Sequence, residues 1–145
     1  LKLQVYQDHL GIDTIGVGRN LEDRGITDGE LAFMNMLKTE IYEQGITEAN
    51  ARFLLSNDID IVEKELSNAH ECIERLDDVR IRVLLDMAFN MGVPRLCKFK
   101  NMWAGIHNGD YVVASAEMLD SRWANQVGQR AVRLSNAMRD GELIV

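Results

Sequence analysis

Apolar and polar positions alternate at the start of the chain and then take up helical spacing. Leu3 and Val5, then Ile15 and Val17, lie two apart around "QDHLG" and "GVG". This period-two pattern, interrupted by glycines, predicts a small antiparallel hairpin or meander over residues 1–21. From Thr27 the period changes. "TDGE" places Glu30 three residues after Thr27, a capping-box arrangement ahead of the apolar "LAFMNML", and predicts one helix from about Asp28 to Tyr42, stopped by Gly45. Thr47 suits the N-cap of a long second helix reaching about Asn68, in which Ala51, Leu55, Ile59, Val62 and Leu66 recur at spacings of four or three. Asp77 or Asp78 opens a further helix closed by Gly92. Its apolar residues (Val79, Ile81, Val83, Leu84, Leu85, Met87, Ala88, Phe89) cover most of its circumference, which predicts a central, buried rod. Further helices are expected over about Leu96 to His107, Asp110 to Leu119 and Gln126 to Arg139. The fold class that follows is α+β: one domain over 1–145, with a small β-containing N-terminal lobe (about 1–46) joined by a long helix (47–68) to a helical C-terminal lobe (69–145).

Composition narrows the functional classes. No apolar run in the 145 residues approaches the ~18–20 needed to span a bilayer, so no stable membrane insertion is expected. A net charge of −7 argues against a nucleic-acid partner, because phosphate binding draws on clustered Lys and Arg. A local basic patch from Arg122, Arg130, Arg133 and Arg139 remains as a feature for gripping another anionic polymer. Cys72 and Cys97 lack a CxxC spacing and read as reduced, buried thiols. His9, His70 and His107 are scattered along the chain, so neither a metal nor another cofactor is expected. Met34, Met36, Met87 and Met91 read as core fillers, and Ser115, Ser121 and Ser135 have no neighbouring His to activate them. "GVGRN" lacks the third glycine and the helix start of a phosphate loop, and reads as a tight sheet turn.

The candidate chemistry lies in the first hairpin. Asp8 ends the first alternating run, and Thr14, six residues on, opens the second. Paired strands would bring a carboxylate and a hydroxyl together on one edge, where they can hold and polarise a water. The competing reading is that Asp8 shapes the turn and Thr14 satisfies strand propensity.

"LKLQVYQDHLGIDTIGVGRNL", "GITEANARFLLSNDID", "RIRVLLDMAFNMG" and "SRWANQVGQRAVR" together resemble the phage-type lysozymes, or endolysins, of glycoside hydrolase family 24. The resemblance runs through nearly the whole chain and rests on D-x5-T-x-G-x-G, F-[QN]-M-G and S-R-W-x-N-Q-x3-R occurring in order. It implies hydrolysis, with inversion, of the β-1,4 bond between N-acetylmuramic acid and N-acetylglucosamine of bacterial peptidoglycan. Inversion requires a carboxylic acid for the leaving oxygen and a second carboxylate ~6.5–9.5 Å away that activates water. By resemblance, Asp8 is that base or water-positioning group and Thr14 the water-binding threonine. Phe89 and Asn90 suit sugar rings and acetamido groups, and Arg130 matches an arginine close to the acid. The acid itself is expected to be a glutamate two residues before Leu1, with Asp13 and Glu22 no obvious replacement. Arg19 stands where the family usually has a His in a buried ion pair, and Asn20 and Met102 depart from other family positions. The resemblance further implies a monomeric phage or prophage product, made in the bacterial host cytoplasm and acting on the wall in the periplasm. The alternative is an inactive lysozyme-like wall-binding or virion module; a purely helical interaction domain is a third reading.

Overall fold

The computed structural model describes residues 1–142 and divides into two compact units, Leu1–Asp60 and a second that starts at Ile61. In the first unit, β1 (Lys2–Gln7), β2 (Asp13–Gly16) and β3 (Arg19–Asn20) form an antiparallel sheet in the order β1-β2-β3, with Tyr6 opposite Thr14 and Ile15 opposite Arg19. "GVGRN" is the tight β2–β3 turn, entered and left through Gly16 and Gly18 at φ 67° and 80°. The α+β class is thereby realised, with the strands among the described residues lying within the first 20.

Thr27 caps α1 (Asp28–Met34) with the full reciprocal capping box: its hydroxyl accepts from the Glu30 N–H, and the Glu30 carboxylate accepts from the Thr27 N–H. The single helix expected from Asp28 to Tyr42 is two. Asn35 adopts a left-handed conformation (φ 55°, ψ 48°) and ends α1. The chain restarts as α2 (Lys38–Gln44), where Glu40 accepts from the Leu37 N–H at 3.0 Å. Apolar periodicity continued across the break, so spacing alone concealed it. Gly45 then turns at φ 77° against the Leu3 carbonyl, which lies where a Cβ would be; the adjacent Ile46 N–H donates to that carbonyl at 2.7 Å. The long helix α3 (Glu48–Ala69) starts under a Thr47 cap and contains the boundary between the units. Its buried positions include Ala51, Leu54 and Leu66, whereas Leu55, Ile59 and Val62 are only half-buried; the apolar stripe is rotated from the expected one.

Beneath this sheet lies a buried ionic cluster. Arg19 is 3% exposed and forms a two-pronged contact to Glu30 (2.9 and 2.8 Å), bonds Asp58 through Nε (3.1 Å), and donates to the Gly25 and Leu54 carbonyls. The buried cation is thus Arg19 itself, at the position where a His was the family expectation. Arg24 adds a second contact to Asp58, and Asn57 donates to Glu30. Burial alone would push the Glu30 carboxyl up; the Arg19 fork, the Asn57 amide and the Thr27 N–H outweigh it and hold the group at about 2.

In the second unit a 3-10 turn (Glu71–Arg75), which the hydrophobic pattern did not announce, leads to α4 (Asp78–Met91). This helix is capped by Asp77 and ended by Gly92 at φ 88°. The remaining elements are α5 (Val93–Leu96), α6 (Lys100–His107), α7 (Tyr111–Leu119), α8 (Arg122–Val127) and α9 (Gln129–Asp140). Two expected helices are corrected here. The one from Leu96 to His107 starts only at Lys100, after a turn that leaves Cys97 to Phe99 outside α5 and α6. The one from Gln126 is interrupted by Gly128, with Ser121 capping an earlier segment, α8. Val83, Leu84, Met87 and Ala88 put α4 into a core shared with Trp103, Met118, Trp123 and Met138, as its wide apolar face predicted. Phe89 is the exception at 43% exposed.

Close packing explains two details of this unit. A Cβ on Gly105 would meet the Asp110 carbonyl at 2.9 Å and the Ala114 nitrogen at 3.0 Å, so α6 and α7 approach through a residue with no side chain. Ser115 and Ser135 are buried and satisfy each other across α7 and α9 with oxygens 2.6 Å apart, as structural hydroxyls.

Glu30→Gln leaves Arg19 short of one counter-charge and is expected to destabilise the protein by about 3 kcal/mol or more, read from urea unfolding. Because the folded Glu30 carboxyl lies below its ordinary value of 4.5, its contribution is complete above that pH and is lost as pH falls toward 2. The variant's unfolding midpoint should be flatter than the wild type's over that window.

Candidate functional site

The turn after β1 is organised by one carboxylate. The Asp8 N–H donates to the Ile12 carbonyl at 3.0 Å, and the Gly11 N–H donates to the Asp8 carbonyl at 2.9 Å. Asp8 Oδ1 accepts from the N–H groups of Leu10 (2.8 Å) and Ile12 (3.0 Å). An aspartate suits this place because its short carboxylate reaches backbone N–H groups two and four residues on. The Ile12 N–H in particular, then the Leu10 N–H and His9, hold the Asp8 carboxyl below the ordinary range against the opposing effect of burial. Asp8 is therefore ionised at neutral pH, and Oδ2 accepts no hydrogen bond from the described residues.

Thr14, on β2, is 4% exposed, and its hydroxyl donates to the Ile12 carbonyl at 2.8 Å. Asp8 and Thr14 thus bind the two sides of one residue, Ile12. The turn-shaping reading of Asp8 is real, and it occupies only one carboxylate oxygen. The threonine has spent its proton on Ile12 and keeps acceptor capacity. Glu22 is engaged by the Asp13 N–H at 2.7 Å, a contact that the sequence pattern gave no reason to expect.

In the second unit, Phe89 and Asn90 are exposed at the end of α4. The Nε1–H of the buried Trp123 donates to Asn90 Oδ1 at 3.0 Å, so the amide is turned with its NH2 as the end not held by that bond. Arg130, in the first turn of α9, pairs with Asp86, one turn before Asn90 on α4. Asp86 was not singled out from sequence, since a lone acid on a helix carries no signal until its partner, 44 residues away, is folded against it. This pairing also thins the expected basic patch: Arg139 is engaged by Asp140, while Arg122 and Arg133 remain exposed.

The histidines are less scattered than their spacing suggested. His70 and His107 lie with ring nitrogens 3.4 Å apart, and Cys72 Sγ is 3.7 Å from His107. Among the described residues, no group of three His, Cys, Asp or Glu side chains is arranged to hold a metal ion, and no helix is long and apolar enough to cross a membrane.

A family model described as phage lysozyme matches residues 1–139 of this chain. The chain belongs to the phage lysozyme family. It is 27% identical to the probable T4-type lysozyme 1 of Dictyostelium discoideum over 98% of its own length and 89% of the relative's. A second T4-type lysozyme of that organism is 26% identical over similar shares. It is also 28% identical to the pre-baseplate central spike protein Gp5 of Enterobacteria phage T4, of which it spans 26%. The chain is accordingly lysozyme-like, in a family of glycosidase-type hydrolases.

Asp8→Asn keeps an oxygen for the Leu10 and Ile12 N–H groups and should leave the turn and the unfolding midpoint nearly unchanged. Asp8→Ala releases both donors, so hydrogen exchange at Leu10 and Ile12 should accelerate in that variant alone.

Proposed function

We propose that this phage lysozyme family member is a muramidase that hydrolyses, with inversion, the β-1,4 bond between N-acetylmuramic acid and N-acetylglucosamine in bacterial peptidoglycan. The observation that carries the reading is the ionised Asp8 carboxylate, fixed through Oδ1 and free at Oδ2. In this reading Oδ2 takes a proton from a water as its oxygen bonds to the anomeric carbon, and the Thr14 oxygen accepts that water's other hydrogen. In this reading the glycosidic bond breaks as a carboxylic acid protonates the leaving oxygen. Phe89 offers an exposed ring face to sugar C–H groups, and the Asn90 NH2, set by Trp123, suits an acetamido carbonyl. Arg130, held by Asp86, supplies positive charge suited to an anionic part of the substrate.

The enzyme acts as a monomer on the wall in the periplasm after synthesis in the host cytoplasm. Its net charge of −7 opposes approach to an anionic wall, so the exposed Arg122 and Arg133 provide the local attraction. A second reading, a non-catalytic wall-binding or virion module, draws on the likeness to a spike protein four times as long as the matched region.

Asp8→Ala in the full-length protein should lower release of reducing ends from purified sacculi by at least about a hundredfold while sacculus binding persists. Wild-type hydrolysis by that variant overturns the muramidase assignment, and wild-type protein that binds sacculi without cleaving them selects the second reading. Raising ionic strength from about 0.02 to about 0.2 M should slow lysis, and Arg122→Gln with Arg133→Gln should flatten that dependence.

A further inference from the structure

The wall-hydrolysis reading makes no use of the cluster in which the half-buried His70 and the exposed His107 meet the buried Cys72 and Trp103. His70 follows the last residue of α3, with its N–H on the Leu66 carbonyl (2.8 Å), and His107 is the last residue of α6. The His70 ring lies flat on Trp103, with centroids 3.7 Å apart and planes 5° from parallel, and its Nδ1 faces His107 Nε2 at 3.4 Å. Trp103 is itself fixed, 2% exposed with its indole N–H on the Leu96 carbonyl at 2.9 Å. The fold has thus brought two imidazoles, 37 residues apart in sequence, into one hydrogen bond.

We propose that His70 and His107 form a proton-operated latch that ties the end of α3 and the following 3-10 turn to the end of α6, closed near neutrality and opened by acidification. The logic is the hydrogen count. An imidazole–imidazole hydrogen bond needs one N–H and one bare nitrogen, a condition met when the pair is neutral or carries one extra proton. With two extra protons all four ring nitrogens carry hydrogen, and two N–H groups would face each other across 3.4 Å.

Among the described residues, neither ring has a hydrogen bond or ion pair to a carboxylate. Burial holds the Cys72 thiol above its ordinary value, so it remains uncharged, and the Arg75 cation bears on that thiol. Glu71 and Glu74 on the 3-10 turn are exposed. The carbonyl ends of α3 and α6 favour a cation here, and one shared proton already meets that preference. Burial, then the charge of His107, hold the His70 imidazole below its ordinary value of 6.5. For a base with a lowered folded value, the stabilisation is whole above about pH 6.5 and is lost as pH falls below it.

The test uses the full chain. His107→Gln keeps a donor for His70 Nδ1 without a second titrating ring. The wild type should lose more of its thermal midpoint between pH 7.5 and 5 than this variant does, and His9→Gln should follow the wild type. Hydrogen exchange at Ile73 and Leu76, corrected for intrinsic rates, should rise about tenfold at pH 5 in the wild type and stay flat in His107→Gln. Parallel curves for the wild type and His107→Gln overturn the latch. If His107→Gln does not fold, imidazole carbon-bound proton shifts of the wild type decide: His70 and His107 should titrate as a coupled pair in two steps. Independent one-proton titrations near 6.5 overturn the proposal. None of these readouts depends on wall hydrolysis, so the latch and the muramidase reading stand or fall separately.

Discussion

A permanently charged guanidinium at 3% exposure sets the terms for the first unit. Arg19 cannot shed its proton, so folding must supply partners for every N–H it buries. It does: the five donors are divided among Asp58, Gly25, the two oxygens of Glu30 and Leu54. Those partners lie on α3, on the loop before α1 and on α1 itself, while Arg19 lies on β3. A single side chain therefore fixes the sheet edge against two helices. Because Glu30 also closes the Thr27 capping box, the start of α1 and the burial of Arg19 are one event. β2 pairs with this anchored strand, and the turn held by Asp8 and Thr14 hangs from β2.

Local signals were read well where a short-range rule fixes the backbone. Thr27 with Glu30, Thr47, Asp77 and Gly92 all act where the sequence placed them, because each cap is settled within three or four residues. The break at Asn35 was hidden because a left-handed asparagine looks like an ordinary polar position while Leu31, Met34 and Leu37 continue the helical spacing. Phe89 was read two ways, in the apolar face of α4 and, by resemblance, toward sugar rings, and its 43% exposure corrects only the first. An apolar residue at a helix end was counted with the core, although α4 already buries Val83, Leu84, Met87 and Ala88 on the face it needs.

In the candidate site, the two readings of Asp8 were posed as rivals; the geometry shows the turn-shaping one, and because that role uses only Oδ1 it leaves room for the other. Backbone N–H groups on one oxygen hold the carboxylate in place and lower its pKa, leaving the other oxygen without a hydrogen bond among the described residues. The charges around Arg130 and the histidines were illegible for a different reason. Asp86 with Arg130, and His70 with His107, are separated by 44 and 37 residues, and no periodicity links them. Only the packing of α4 with α9, and of α6 with the segment after α3, creates those pairs.

The two polar clusters differ in how they respond to protons. Arg19 and Glu30 are buried and Asp58 half-buried beside them, and with its carboxyl held at about 2, Glu30 keeps its charge through the neutral and mildly acid range. His70, stacked on Trp103, and His107 are more open to solvent, and under the proposed latch their bond fails when one proton too many arrives. The first cluster anchors the sheet through the neutral range, and the proposed latch would make one corner of the helical unit sensitive to acid. The difference follows from chemistry rather than position. A guanidinium offers donors only and meets carboxylates that offer acceptors only, whereas two imidazoles must divide one role each between them.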